Sequence, residues 1–415
     1  MAAKPEVDRM RMLKTLASYA AIGASGNGGV TRLSLTEEDR LARERFAADA
    51  QAAGMSLRVD DMGNMVAHRP GVTDLPPLQL GSHLDTVRRG GRFDGALGVL
   101  GGLEVIRALD DAGVTTRHPL ELINWTNEEG VRFEPAMMGS GVAYGVFDRA
   151  WADDRIDRDS VRFGDALDAI GYRGDVENRP APGAALLELH VEQGPVLDDA
   201  DIAVGGVEGV LGITWFNLVI EGQADHAGPS PMPLRRDALA TAAEVVTMVE
   251  RLAIEAGSPA VGTVGRLAPE PNLINVVPGR VEMSVDLRHQ SHDELEAFVT
   301  RFEAGTRAIG RQRGVSIDID RFWTSEPTAF HEHIVTAIEG AAAETAPSTM
   351  RLWSGAGHDA KYASDAGPAG MIFVRSCGGL SHCEEELSED DDVIAGVATL
   401  LETVLRLDAS LDPDG

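Results

Sequence analysis

Three apolar segments of this chain end in short clusters of polar and charged residues. Residues 78–80 lead into GSHLDT, residues 120–125 into TNEEG, and residues 185–189 into HVEQGP. Apolar runs of this length, alternating with segments of helical periodicity such as residues 95–109, are typical of buried strands in an α/β sheet. Such sheets bind ligands at the carboxyl ends of their strands. The pattern therefore predicts a functional site where the three clusters meet.

A different pattern begins near Gly212. Strand-like runs cover residues 213–220 and 261–267, alternating apolar residues cover 281–287 and 315–319, and helical stripes cover 235–252 and 295–302. The resulting order, β-α-β-β-α-β, is that of a ferredoxin-like unit. The fold class predicted is α/β: a catalytic domain with a central mixed sheet, formed by residues 1–211 and 326–415. We expect an inserted ferredoxin-like α+β domain over residues 212–325.

The charge of the chain argues against two classes of partner, and its cysteine content and apolar segments bear on its location. The chain has 37 basic and 66 acidic residues, a formal net charge of -29, so nucleic acid and anionic membranes would be repelled. Its two cysteines are too few for a disulfide framework, which fits a reducing compartment. The start, MAAKPEVDRMRMLKTL, lacks an apolar core of signal-peptide length, and no stretch approaches the ~20 apolar residues of a spanning helix. We expect a cytoplasmic protein.

Histidines and carboxylates at the predicted strand ends form a candidate metal-binding set. The carboxylate of Asp85 is expected to hold the ring of His83 while the imidazole binds a metal. Asp94 lies between glycines at the mouth of a predicted helix. Glu128 and Glu129 are adjacent acids in a predicted buried loop, where they repel each other unless cations or a shared proton offset the charge. One of them can ligate a metal while the other stays free as a proton acceptor.

Two further histidines extend this set. His190 ends an apolar strand, and His382 follows a Gly-Gly turn. Taken singly, each feature also fits ordinary structure: a satisfied polar pair, a helix cap, a solvated turn or a buried histidine. Together they form the mixed nitrogen and oxygen set that binds two zinc- or manganese-type ions. The sequence has no HExxH, G-x-S-x-G or Walker motif that would indicate another chemistry.

Eight motifs in a fixed order carry a resemblance to a known family. They are GSHLDT with GGRFDGALGV, NEEGVRF, ELHVEQGP, HAGPSPM, NVVPG, DLRH, SGAGHDA and GLSHCEEE. Through them the chain resembles the dinuclear-metal amidohydrolases that include N-carbamoyl-L-amino acid hydrolase, allantoate amidohydrolase and β-ureidopropionase. These enzymes are related to aminoacylases and zinc carboxypeptidases.

The resemblance implies roles for the strand-end residues. Two divalent metal ions (zinc, manganese or cobalt) would be held by His83, Asp94, Glu129, His190 and His382. Asp94 would bridge the two ions, and Glu128 would be the general base that accepts a proton from an activated water molecule. Asp85, behind His83, is counted with the catalytic residues.

The resemblance also implies a substrate site. His226 of HAGPSPM, on the inserted domain, would stabilise the tetrahedral oxyanion, so that domain closure would assemble the site. Asn275 and Arg288 would bind a substrate carboxylate, with Gln193 and His358 as further polar contributors. On its own sequence context, Arg288 also fits a solvated strand arginine. Arg375 and Lys361 depart from the family pattern and are candidates for positions near the pocket.

The predicted activity is the hydrolysis of a linear ureido or amide C–N bond in a small anionic substrate. N-carbamoyl-L-amino acids, giving an amino acid, CO2 and ammonia, are favoured because the peptidase relatives tend to have a carboxylate where His190 stands. Allantoate, 3-ureidopropionate, N-acyl-amino acids and peptides remain alternative substrates. A catalytically silent metal-binding protein is an alternative of another class, although it has no use for an unligated Glu128. The inserted unit, with an exposed sheet edge or helix face, suggests a dimer. The resemblance further implies a homodimer in which this domain, residues 212–325, serves as a lid and in dimerisation.

Overall fold

The computed structural model describes residues 4–411, which fall into two compact units. The larger unit combines the residues up to Gly209 with those from Ala329 onward, and the smaller unit is Val210–Thr328. The bounds of the smaller unit agree to within three residues with those of the predicted insertion, 212–325. Within the described residues, no helix combines the length and the apolar character needed to cross a membrane.

Helices and strands alternate in the first part of the larger unit. Its helices are α1 (Arg9–Ala20), α2 (Glu37–Ala52), α3 (Ala96–Asp111), α4 (Met138–Ala143), α5 (Arg149–Asp153), α6 (Phe163–Ala169) and α7 (Val196–Asp199), with a 3-10 turn at Val176–Asn178. Its strands are β1 (Ser56–Val59), β2 (Met65–Arg69), β3 (Leu78–His83), β4 (Leu120–Trp125), β5 (Ala185–Val191) and β6 (Val204–Val210). β3, β4 and β5 are the three apolar runs of the sequence, and all three are fully buried.

The smaller unit has the predicted order of elements. They are β7 (Gly212–Glu221), β8 (Asp225–His226), α8 (Ala238–Ala256), β9 (Val261–Glu270), β10 (Val276–Val277), β11 (Arg280–His289), α9 (His292–Arg313) and β12 (Ser316–Ser325), with a 3-10 turn at Met232–Leu234. The four long strands form an antiparallel sheet in the order β12-β7-β11-β9, and β8 and β10 form a separate ribbon. Along β11 buried and partly exposed residues alternate, as the sequence pattern predicts.

The chain then returns to the larger unit through β13 (Thr328–Ala329). The remaining elements are α10 (Glu332–Thr345), β14 (Thr349–Ser354), α11 (Asp359–Ala366), β15 (Ala369–Val374), a 3-10 turn at Cys377–Gly379 and α12 (Asp390–Ser410). The large sheet runs β1-β2-β4-β3-β5-β15-β6-β13, with β14 beside β6. Its strands pair both parallel and antiparallel, so the predicted mixed α/β fold is confirmed.

The core of the larger unit lies between this sheet and its helices. Apolar residues of α1, α3, α10 and α12 pack with those of the central strands. Burial of each leucine side chain in this core contributes about 1.5–3 kcal/mol to the free energy of unfolding. Because β4, β3, β5 and β15 are consecutive neighbours and run parallel, their carboxyl ends meet at one edge of the sheet. That edge carries the candidate site.

Candidate metal centre and active site

The strand ends bring the predicted metal ligands together. His83 is the last residue of β3, Glu129 follows β4, His190 lies on β5, His382 lies between β15 and α12, and Asp94 precedes α3. Their side chains form two groups, His83 with Asp94 and His190, and Asp94 with Glu129 and His382. Within each group the candidate ligand atoms lie within 4.8 Å of one another.

Asp94 contributes one carboxylate oxygen to each group. Its Oδ1 lies 3.5 Å from His83 Nε2 and 3.2 Å from His190 Nε2, whereas its Oδ2 lies 3.3 Å from His382 Nε2. Glu129 Oε2 lies 3.4 Å from the same His382 nitrogen. Imidazole nitrogens with carboxylate oxygens suit divalent ions such as zinc or manganese, and a carboxylate with its oxygens turned to different partners can bridge two of them. The donor set therefore fits two metal ions that share Asp94.

Backbone carbonyls fix the orientation of the two buried rings. His83 Nδ1 lies 2.9 Å from the Asp85 carbonyl oxygen, and His190 Nδ1 lies 2.9 Å from the Val191 carbonyl oxygen. Because a carbonyl only accepts, each Nδ1 carries the hydrogen when the ring is neutral, and each Nε2 presents a lone pair towards Asp94.

Asp85 supports the site differently from the sequence-based expectation. Its carboxylate Oδ1 lies 3.9 Å from His83 Nδ1, so the backbone carbonyl of Asp85, and not its side chain, orients this ring. The carboxylate oxygens instead accept hydrogen bonds from the backbone N–H groups of Glu128, at 3.3 Å, and Glu129, at 3.4 Å. Asp85 thus holds the pair of acidic residues in place.

Four residues of the site have left-handed backbone conformations. Asn127, Gln193 and His382 have φ values of 59°, 60° and 55°, a region that most residues with side chains avoid and that asparagine tolerates best. Gly95 has φ 63°, and a Cβ at this position would collide with the His83 imidazole. Glycine at residue 95 is thus required both by its backbone angle and by the close approach of His83.

Glu128 lies beside the ligand groups without belonging to either of them. Its side chain is buried, and its Oε2 lies 3.5 Å from His83 Nε2. Burial raises the pKa of Glu128 well above its ordinary range, and the nearby carboxylates of Asp359 and Glu129 raise it further, while His83 lowers it. A buried carboxyl group of raised pKa next to metal ligands suits proton transfer.

Burial and neighbouring charges also shift the pKa values of Glu129 and His382 in the Asp94–Glu129–His382 group. Burial, followed by the charge of Asp94, raises the pKa of Glu129 to about 8. The hydrogen bond with Asp94 raises the pKa of His382 to about 9. These carboxylates and imidazoles are close enough to share protons, which a metal ion would displace on binding.

Two of the four predicted substrate-binding residues contact the ligand groups. Gln193 Nε2 donates to Asp94 Oδ2 at 2.9 Å and lies 3.2 Å from His382 Nε2. His358 is buried, with its ring centroid 4.5 Å from that of His190. Burial, followed by the charge of His190, lowers the pKa of His358 well below its ordinary value, so this ring is neutral.

The other predicted substrate residues lie in the smaller unit with His226. Asn275 and His226 are neighbours there, because the β8–β10 ribbon pairs His226 with Val276 and the Asn275 carbonyl accepts from Ala227 N at 3.0 Å. Arg288 lies on β11, where it forms an ion pair with Asp286 at 2.7 Å. Their roles towards a substrate stay predictions.

Sequence reasoning missed several buried polar residues around the site. Glu188 accepts from Ser82 Oγ at 2.9 Å and from Ala360 N at 3.0 Å. Its position two residues before His190 on β5 places both side chains on one face, a signal that could have identified it. Glu386 is also buried against the loop that carries Asp94, and nothing in its acidic sequence context distinguishes it from its neighbours.

Arg375, a candidate for the pocket, has a different role in the structure. Its Nε donates to Asp392 Oδ2 at 2.8 Å, and its guanidinium also bonds Asp201 at 2.8 Å. Since Asp392 lies in the first turn of α12, this hydrogen bond connects Arg375 to the start of that helix. Lys361 is buried on α11.

The sequence profile of peptidase family M20/M25/M40 matches residues 79–406. The chain belongs to this family. This M20 chain is 40% identical to an N-carbamoyl-L-amino-acid amidohydrolase of Rhizobium meliloti, over 96% of each chain. It is 34% identical to an allantoate amidohydrolase of Bacillus subtilis, over 95% of this chain and 96% of the relative. The predicted resemblance and the predicted hydrolase class are thereby confirmed.

A solved structure supports the same assignment. An amidase of the hydantoinase/carbamoylase family from Burkholderia multivorans matches with a TM-score of 0.92 and 41% identity, covering 97% of this chain and 98% of that one. The M20 family is metal-dependent, in agreement with the candidate ligand groups of the structure, which include the two that share Asp94 and a third formed by Glu188, His190 and His358.

Proposed function

We propose that this M20 chain hydrolyses N-carbamoyl-L-amino acids to the amino acid, CO2 and ammonia, with two divalent metal ions. The relative of Rhizobium meliloti with 40% identity carries this activity in its name, as does one of Paenarthrobacter aurescens with 36% identity. The observation that carries the proposal is Glu128, a buried carboxyl group that faces His83 but belongs to neither ligand group.

The ligand groups and Glu128 divide the chemistry. When bound, the metal ions would polarise the substrate carbonyl and lower the pKa of a water molecule. Glu128 would accept a proton from the water molecule that attacks the ureido carbon, and would then donate a proton to the departing nitrogen, which leaves as ammonia. Asp85 keeps Glu128 in place through the backbone N–H, and the backbone carbonyls behind His83 and His190 keep the ring nitrogens directed at Asp94.

The roles of the smaller unit are carried over from the resemblance. His226 would donate to the oxyanion, and Asn275 and Arg288 would bind the substrate carboxylate. The guanidinium of Arg288 offers the bidentate donor pair that suits a carboxylate, although in the structure it contacts Asp286. Substrate would therefore compete with Asp286 for this group.

Allantoate is the second candidate substrate. The Bacillus subtilis relative named allantoate amidohydrolase is 34% identical over nearly the whole chain. Allantoate shares a ureido group and a carboxylate with N-carbamoyl amino acids, so the same ligand groups and the same base would serve both substrates.

Two matched substitutions test the division of labour between the adjacent acids. In Glu128→Gln we expect bound metal to be retained and turnover to fall by about 10²- to 10⁴-fold, because the proton acceptor is lost. In Glu129→Gln we expect loss of metal together with turnover. Metal content is measured by elemental analysis and turnover by ammonia release. Unchanged turnover in Glu128→Gln would contradict the proposal.

A substrate panel tests the specificity. Metal-free protein is restored with zinc, manganese or cobalt and assayed with N-carbamoyl-L-amino acids, allantoate, 3-ureidopropionate and N-acyl-amino acids. We expect the highest kcat/KM with an N-carbamoyl-L-amino acid and no turnover without metal. A higher kcat/KM with allantoate would identify allantoate as the preferred substrate. Binding of metal without turnover of any compound would indicate a catalytically silent metal-binding protein.

A further inference from the structure

Glu386 is a buried carboxylate that none of the proposed catalytic steps uses. Its Oε1 accepts hydrogen bonds from the backbone N–H groups of Phe93, at 3.0 Å, and Asp94, at 3.1 Å. Its Oε2 accepts from Ser381 Oγ at 2.7 Å. The Glu386 side chain therefore links the backbone of Phe93 and Asp94 to Ser381, the residue before His382.

The Ser381 hydroxyl continues this connection. It lies 3.3 Å from Asp94 Oδ2, the same oxygen that lies 3.3 Å from His382 Nε2. Ser381 therefore stands between the carboxylates of Glu386 and Asp94, next in sequence to a metal ligand.

The surrounding backbone packs closely against the carboxylate of Glu386. A Cβ at Gly91 would overlap the carboxylate of Glu386, so the backbone at residue 91 approaches the charged group directly. The side chain itself is nearly inaccessible, with 5% of the residue exposed. A buried carboxylate held by three donors fixes both partner segments more firmly than a solvated one.

His382 is the ligand that most needs such support. Its side chain is 52% exposed, compared with 1% for His83 and His190 and 4% for Asp94. The packing that fixes the buried ligands is absent on the exposed side of His382, and its backbone is left-handed. The position of this ring relative to Asp94 therefore depends on the segment that Glu386 and Ser381 fasten.

We infer that Glu386 is a positioning residue that sets the distance between Asp94 and His382 and thereby the affinity of the Asp94–Glu129–His382 group for its metal ion. The inference rests on the proposed function, since it assumes that this group binds a metal. It predicts that loss of Glu386 weakens one of two binding steps and leaves the His83–Asp94–His190 group competent.

Cobalt titration of the full chain tests the inference. Stepwise affinities are measured by competition with a chromophoric chelator, and the visible absorption of bound Co²⁺ reports its coordination. In Glu386→Ala we expect one binding step to weaken by about 10- to 100-fold, with a changed cobalt spectrum. Glu386→Gln should restore most of the affinity, because the amide oxygen can still accept from Phe93 N and Asp94 N. The adjacent exposed Glu385→Ala is the matched control and should bind as the wild type does.

Wild-type affinities and spectrum in Glu386→Ala would overturn the inference. Should this variant fail to fold, Ser381→Ala decides: weakening of the same single step supports the inference, and wild-type binding overturns it. A wild-type chain that binds two ions while Glu386→Ala binds them equally well contradicts this inference alone. A wild-type chain that binds no cobalt contradicts the proposed function as well.

Discussion

Glycine at residue 95 links the backbone of the chain to the orientation of a metal ligand. Its φ of 63° and the closeness of the His83 ring leave no space for a side chain. Gly113 offers a matched comparison, since its φ is 65° but no atom lies within 4 Å of the position of an added Cβ. The two positions separate the cost of backbone strain from the cost of displacing His83.

We expect Gly113→Ala to lower the free energy of unfolding by about 1 kcal/mol through backbone strain alone, with metal binding unchanged. Gly95→Ala should carry at least this strain, since its φ of 63° is combined with a ψ of -49°, and should also displace the His83 imidazole, so that metal affinity falls by about tenfold or more. Chemical denaturation and metal titration of both variants measure the two effects. Equal metal affinity in both variants would show that His83 tolerates the added methyl group.

At the level of residues, the sequence indicated which side chains come together better than it indicated the contacts between them. His83, Glu129 and His190 follow or end apolar strands, so the strand pattern predicted that they lie at one edge of the sheet, although it did not predict which strands are neighbours. The contact of Asp85 with the two acidic residues could not be predicted, because it joins segments 43 and 44 residues apart through side-chain direction. Glu386 was missed for the same reason, since its partner Asp94 is 292 residues away.

The start of α12 shows how an acidic run divides between structural roles. Residues 384–392 form an acidic run that predicts a helix from Ser388 onward with an acidic first turn, whereas α12 begins at Asp390 after the extended residue Glu389. The Ser388 hydroxyl instead donates to the Arg375 carbonyl oxygen at 2.6 Å. Three aspartates occupy the first turn of the helix as predicted, where they complement its dipole.

Arg375 provides a prediction for this element. In Arg375→Ala the buried carboxylate of Asp392 loses its cation, so we expect the free energy of unfolding to fall by about 2 kcal/mol. KM for the substrate should stay at the wild-type value, since Arg375 is engaged by Asp392 and Asp201. Thermal unfolding and steady-state kinetics measure the two quantities.

Asp201→Asn is the control for this prediction. Asp201 is 94% exposed and has a left-handed backbone that asparagine tolerates, so the substitution weakens only a solvent-exposed ion pair with Arg375. We expect a stability change below about 0.5 kcal/mol. A raised KM with unchanged stability in Arg375→Ala would instead indicate contact with the substrate.

The whole molecule is built from two units that each have a core. Phe216, Phe298 and Phe302 pack with the apolar faces of α8, α9 and β11 inside the smaller unit. The sequence predicted this unit and its element order, because alternating apolar residues mark its strands and apolar stripes mark its helices. It did not predict the strand order of the larger sheet, which depends on packing between distant segments.

The separate core leads to a prediction for the smaller unit. We expect residues 210–328, produced alone, to fold with mixed α/β circular dichroism and to unfold cooperatively. Phe302→Ala in the same fragment should lower the free energy of unfolding by about 3–5 kcal/mol, since Phe302 is fully buried. A fragment without a cooperative transition would show that the core of this unit is insufficient by itself.

Asp94 gives each ligand group one oxygen of the same carboxylate. Cations loaded on either side of it would repel each other across a few ångströms, and the first would withdraw electron density from the oxygen offered to the second. Their occupancies would consequently be linked, and the second ion would bind more weakly than the first. Gradual chelation would then yield half-loaded enzyme as a distinct species, whose residual activity reports which ion the reaction needs more.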